Sequence, residues 1–182
     1  MSLGGWKKHM CTCTNLFQTI LIQNGTHNEA SLEKCVGFLH QSGITLSQLD
    51  QLGVIHVAGT KGKGSTCALT ESILRQRKLK TGLFTSPHLV SFRERIRING
   101  LALNKNTFAK YFWMVYKSIV KSNPPEERPT YFQFFTILAY NVFVREGVDV
   151  AIIEGMHKIN SPANTQSVNY VHCESIKIVG TL

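Results

Sequence analysis

The sequence predicts an α/β fold: part of a doubly wound, mainly parallel sheet built around a phosphate-binding loop. Three adjoining observations predict it. Val54-Ile55-His56-Val57-Ala58 is β-branched and apolar, the composition of a strand buried on both faces. Gly59-Thr60-Lys61-Gly62-Lys63-Gly64-Ser65-Thr66 follows directly, with three glycines and two lysines in its first six residues. Cys67 to Arg77 then contains no Gly or Pro and is rich in helix formers. A strand, a glycine-rich turn and a helix in that order make a cradle for an anion.

The chemistry of the turn follows from its residue types. Glycines let backbone N–H groups approach an anion with no Cβ in the way. A helix starting near Ser65 adds the positive end of its dipole. Lys63 supplies an ammonium for the outer phosphates, and the Ser65 or Thr66 hydroxyl reaches a magnesium ion or a phosphate oxygen. At about 4 Å and an effective dielectric of about 20, one such charge pair is worth roughly 4 kcal/mol. The spacing is unusual: two residues separate Gly59 from Gly62, and Gly64 stands between Lys63 and Ser65.

The chain has 182 residues and a formal net charge of +9. That length suffices for one domain with a real core. The charge is localised, with thirteen Lys or Arg between Lys61 and Lys121 against Glu71 and Glu94. Such a field attracts anions: nucleotide phosphates, a polyanionic small molecule or nucleic acid. A solvated basic face is the plainer reading. No RNA-binding or helix-turn-helix signature accompanies it, so nucleic acid is not an expected partner. No apolar run approaches the ~18–20 residues of a membrane helix. Cys11 and Cys13 form one C-x-C, and Cys35, Cys67 and Cys173 are isolated. That is too few ligands for a zinc site and no disulfide framework, which suggests reduced thiols in an intracellular protein.

In chain order, residues 1–27 form an N-terminal extension without acids. A basic start of this kind fits a mitochondrial transit segment. The lack of arginine and of a clear amphipathic period fits a segment without regular structure. Asn28 to Ser42 reads as a helix with Leu32, Val36 and Leu39 on one stripe, ended by Gly43. Residues 44–52 read as a turn and a short helix. After the loop helix, Gly82 to Thr85 is a second strand, stopped by Pro87 in Ser86-Pro87-His88-Leu89. Arg93, Arg95 and Arg97 alternate, which predicts three cations on one face of a strand. Thr107 to Lys121 is a helix with Phe108, Phe112, Val115 and Ile119 on its stripe, broken by Ser122-Asn123-Pro124-Pro125. Pro129 to Arg145 is another, with Phe132, Phe135, Ala139, Val142 and Phe143 on a buried side. Val150 to Ile153 is a third buried strand, and it ends in Glu154. Ligands of open α/β sheets bind at the carboxyl ends of strands. Ser86, His88 and Glu154 are therefore expected near the loop, where a carboxylate can hold magnesium.

GTKGKGST after a β-branched strand resembles the ATP loop of the Mur ligase superfamily, and within it folylpolyglutamate synthase most. Ser86-Pro87-His88-Leu89 followed by Arg93-Glu94-Arg95-Ile96-Arg97-Ile98-Asn99-Gly100 resembles the same family. The resemblance covers roughly Leu32 to Glu154. It implies a central-domain-like ATP-binding fold over residues 28–155. It also implies an ATP- and Mg2+-dependent carbon–nitrogen ligase of folate and one-carbon metabolism, adding L-glutamate to tetrahydrofolate through an acyl phosphate. Lys63 would be catalytic, Gly59 to Thr66 would hold nucleotide, and Ser86 and Glu154 would bind metal. His88, Arg93 and Arg97 would face substrate beside a mobile loop and hairpin. A monomer in cytoplasm or mitochondrion is expected.

Past Glu154 the likeness stops. Gly155-Met156-His157-Lys158-Ile159-Asn160 does not continue the family's glycine-rich run, and residues 156–182 form an unmatched tail. No second metal-binding histidine can be assigned to His157 or His172. The lysine that the family carbamylates and the C-terminal domain are both missing from the match. The alternative expectation is therefore a truncated ATP-binding module without autonomous ligase activity.

Overall fold

The computed structural model describes residues 29–59, 61–155, 169–173 and 176–180. The extension read over residues 1–27 lies outside them. Helix α1 (Glu29–Gln41) ends where the chain turns at Gly43, whose φ of +80° favours glycine. Thr45 caps the short α2 (Leu46–Asp50): its hydroxyl accepts from the Gln48 N–H and the Gln48 side chain accepts from the Thr45 N–H. Strand β1 (Gly53–Gly59) feeds α3 (Lys63–Gln76), and β2 (Thr81–Phe84) follows. A 3₁₀ turn (Phe92–Arg95) leads into the hairpin β3 (Ile96–Ile98) and β4 (Leu101–Ala102). Helix α4 (Lys105–Val115) widens into a π-helical stretch (Tyr116–Lys121). Helix α5 (Tyr131–Arg145) and β5 (Val150–Glu154) come next, then β6 (Asn169–Cys173) and β7 (Ile176–Gly180).

The sheet runs β4-β3-β2-β5-β1-β7-β6. Its middle is parallel, with β5 between β2 and β1. The three parallel strands and their helical connections are those the sequence predicts. Where that reading leaves the sheet edges open, antiparallel strands pair instead: β3 on β2 and β7 on β1. Strands β6 and β7 fall in residues 156–182, for which the sequence reading places no element.

Alternation along the strands sorts their side chains onto two layers. Val54, Phe84, Ala151 and Ile153 join the large core beneath α1, α4 and α5. Val57, Leu83 and Ile152 face α3, with Cys67 and the half-buried Ile55 and Leu74. Helix α5 departs from the expected single buried side: every residue from Phe134 to Phe143 is buried, while Phe132 is only partly so. The sheet lies on one side of it and α1, α2 and α4 press on others, so no long face meets water. Its fully buried Asn141 is satisfied: it donates to the Ser42 hydroxyl at 2.8 Å and to Ile137 O at 3.0 Å.

Arg93 and Arg95 also depart from expectation. Both belong to the 3₁₀ turn, and only Arg97 lies on a strand. The three arginines therefore do not share a strand face. Ser91 and Glu94 close a capping box on that turn, and this local pairing outweighs the alternating pattern. The hairpin turns at Asn99-Gly100 with both φ values positive, +50° and +82°. Its position is fixed from α3, where the buried Glu71 accepts from the Gly100 N–H at 2.8 Å and from the Thr81 hydroxyl at 3.3 Å.

Phe143 packs on the sheet at Gly82, where an added Cβ would lie 2.6 Å from a ring carbon. Both partners are buried and neither can retreat. Gly82→Ala is expected to destabilise the fold by about 1–3 kcal/mol, measured as a lower urea midpoint at unchanged slope.

Candidate phosphate-binding site

The loop begins at the carboxyl end of β1 and reaches α3 through Gly62, whose φ is +78°. This left-handed backbone is where a side chain would strain the turn. The helix begins at Lys63, two residues earlier than expected, so Gly64 and Ser65 lie in its first turn. The first bond within the helix runs from the Thr66 N–H to Gly62 O at 2.9 Å. The N–H groups of Lys63, Gly64 and Ser65 precede it and belong to the open helix end. Lys63 arches back over the loop, and its ammonium donates to Gly59 O at 3.0 Å. Half-buried there, the charge stays on the loop. Lys61 and Ser65 are exposed, Thr66 is half-buried, and Thr60 lies outside the described residues.

Two further strand ends converge on this turn. Glu154 closes β5 and is only 6% exposed. Its Oε2 accepts from the Ser86 N–H at 2.9 Å. Its Oε1 faces the loop, where a Cβ added to Gly64 would lie 3.8 Å away. The Gly155 N–H bonds Val57 O at 2.8 Å, which pins the end of β5 to β1. Cys67, one turn into α3, senses the same cluster. Burial above all, then the Glu154 charge, pushes its thiol up to about 12, against a smaller pull from Lys63. At that value it is a packing residue and not a nucleophile.

Among the described residues no group of three or more His, Cys, Asp or Glu could hold a metal ion. Magnesium does not need one. It binds through one or two hard oxygen ligands, keeps several waters and takes substrate phosphates for the rest. A nearly buried carboxylate with one oxygen turned to the loop and the Ser86 backbone on the other suits that chemistry.

The segment after Pro87 hangs from a second carboxylate. Glu94 accepts from the N–H groups of Leu89 at 2.9 Å, Val90 at 3.2 Å and Ser91 at 2.7 Å. This residue has no role of its own in the sequence analysis, although Ser91-Phe92-Arg93-Glu94 has the spacing of a capping box. His88 lies between the two anchors. Its Nδ1 accepts from Arg95 Nε at 3.0 Å, and its ring packs on Phe92 with centroids 4.3 Å apart. Arg93 and Arg97 are both spent on backbone carbonyls, Arg93 on Leu103 O at 3.1 Å and Arg97 on Glu94 O at 3.3 Å. The structure thus gathers Gly64, Ser86 and Glu154, keeps the Lys63 ammonium on the loop at Gly59 O, turns His88 to Arg95 and Phe92, and holds Arg93 and Arg97 on the carbonyls of Leu103 and Glu94.

The Leu89 N–H, followed by that of Ser91, holds the Glu94 carboxyl below the usual carboxylate range. A depressed value means that these bonds persist above the ordinary glutamate range and are lost only as pH falls through the lowered one. The amide resonances of Leu89, Val90 and Ser91 are expected to titrate together, below the ordinary glutamate range. Glu94→Gln should abolish that common titration.

No family model matches the chain. It is 50% identical over 128 residues to human mitochondrial folylpolyglutamate synthase, covering 69% of this chain and 22% of the relative. The folylpolyglutamate synthase of Candida albicans is 49% identical over 139 residues, covering 70% and 27%. Among solved structures, a folylpolyglutamate synthase–AMPPCP–folate complex aligns with a TM-score of 0.62 at 29% identity, over 79% of this chain and 35% of that one. The Thermotoga maritima enzyme aligns with 0.57 at 26% identity, over 67% and 28%. The chain therefore spans about a fifth to a third of the proteins it resembles. Over some 70% of its own length, this chain is a homologue of the folylpolyglutamate synthases.

Proposed function

We propose that this chain carries the nucleotide-phosphate and magnesium site of a folylpolyglutamate synthase-type ligase. One observation carries the reading: the Glu154 carboxylate joins the Ser86 backbone to the first turn of the glycine-rich loop, at the carboxyl ends of three parallel strands. The relative solved with AMPPCP and folate supports it.

In this reading the N–H groups of Lys63 to Ser65 and the α3 dipole hold the phosphates of ATP. The Lys63 ammonium leaves Gly59 O for a phosphate oxygen and neutralises charge as it develops on the transferring phosphoryl group. The Ser86 hydroxyl and Glu154 would hold magnesium, which when bound offsets further phosphate charge. The phosphoryl group passes to the terminal carboxylate of tetrahydrofolate, giving an acyl phosphate. The amine of L-glutamate attacks it, phosphate leaves, and a new amide remains. Some of the aromatics of α4 and α5 offer a surface for a pterin ring. A second reading rests on the phosphate site alone: a nucleotide-binding module without ligase turnover of its own, which the glycine-rich turn, Lys63 and Glu154 suffice to support.

Two measurements separate these readings. Calorimetry with AMPPCP and Mg2+ is expected to show binding that weakens at least tenfold, about 1.4 kcal/mol, in Lys63→Ala. No binding by the parent chain would defeat both. ATP-dependent incorporation of glutamate into tetrahydrofolate supports the ligase; binding without incorporation supports the module.

A further inference from the structure

Arg95 is 6% exposed, yet among the described residues no carboxylate pairs with it. Its guanidinium sits 5.7 Å from the Tyr131 ring centroid and 5.8 Å from that of Phe135. Phe92 stacks on Phe135 at 5.8 Å and meets the His88 ring at 4.3 Å. The Arg95 Nη1 atom is buried without a hydrogen-bond partner among the described residues. Among the described residues the one side chain that accepts a hydrogen bond from this cation is His88, from Nε. A buried cation without an anion is costly, and aromatic faces recover only part of that cost.

The bond has a definite chemical consequence. A guanidinium carries five N–H donors and no acceptor. A ring nitrogen that faces its Nε–H therefore has to be the bare one. The proton of the neutral ring is then left on Nε2.

We infer that Arg95 is a positioning residue that locks His88 in the Nε2–H tautomer, as a hydrogen-bond donor for a carboxylate or ring-carbonyl oxygen of a ligand at this site. The ring follows Ser86 by two residues in the segment that Glu154 anchors through the Ser86 backbone. Phe92 fixes the ring plane and Arg95 fixes which nitrogen is bare. The tautomer follows from the bond itself; its use on a ligand rests on the ligase reading above.

The test is nuclear magnetic resonance on the 15N-labelled full chain at pH 8. A 15N–15N coupling through the hydrogen bond from Arg95 Nε to His88 Nδ1 is expected, with well-separated shifts for the two ring nitrogens. Arg95→Met should abolish the coupling and draw the shifts together as the tautomers average. Averaged nitrogens in the parent chain, or a proton on Nδ1, would overturn the inference whether or not the variant folds. Folate is the probe for the second half. Its addition should move the His88 Hε2 resonance, with an apparent affinity at least tenfold weaker in Arg95→Met. An unmoved Hε2 beside an intact coupling would overturn the ligand role. The coupling is read without nucleotide, so its presence or absence is independent of the AMPPCP result.

Discussion

The contact on which the site depends is the carboxylate of Glu154 at the end of β5. One oxygen takes the Ser86 N–H and the other faces the first turn of α3. Three strand ends that are far apart in the chain are brought within one hydrogen bond and one van der Waals gap. A nearly buried carboxylate needs such partners, since a desolvated charge left alone is unfavourable by several kcal/mol. The amide of Ser86 supplies one, and the first turn of α3 at Gly64 lies towards its other oxygen. Burial first, and this negative charge second, raise the Cys67 thiol in the same helix.

That contact is available because the sheet is packed unequally. The layer of α1, α4 and α5 encloses most of the apolar core, with α5 buried through ten consecutive residues. Only α3 is packed against the opposite face in the smaller cluster of Val57, Cys67, Leu83 and Ile152. The heavy layer sets the strand positions. The light one delivers the loop and the helix end to the strands' carboxyl edge. Gly82 shows how close the heavy layer comes, since Phe143 occupies the space of its missing side chain.

Between β2 and the hairpin the chain makes its own framework. Glu154 takes the amide of Ser86, and Glu94 takes those of Leu89, Val90 and Ser91. Arg95 turns inward against Tyr131, Phe135 and His88, while its neighbours Arg93 and Arg97 close on backbone carbonyls. Three arginines of alternating spacing therefore have three different surroundings. A 3₁₀ turn rotates successive side chains by about 120° where a strand would rotate them by about 180°.

What the sequence by itself determined was local. A β-branched run, a glycine-rich turn and a helix-forming stretch identify the phosphate loop, because each step is dictated by backbone freedom and side-chain shape over a few residues. The parallel strands ending at Phe84 and Glu154 follow from the same patterning, as does the convergence of Ser86 and Glu154 on the loop. The tertiary structure decided what depends on partners distant in the chain. It placed antiparallel strands on both flanks of the parallel core, surrounded α5 on all sides, and separated Arg95 from Arg93 and Arg97. Hydrophobic period reports which face of an element is apolar; it does not report how many neighbours will press on it. Alternation of charge reports a spacing, and whether that spacing becomes a strand face or a turn is settled by the carboxylate at Glu94 collecting amides from the preceding loop.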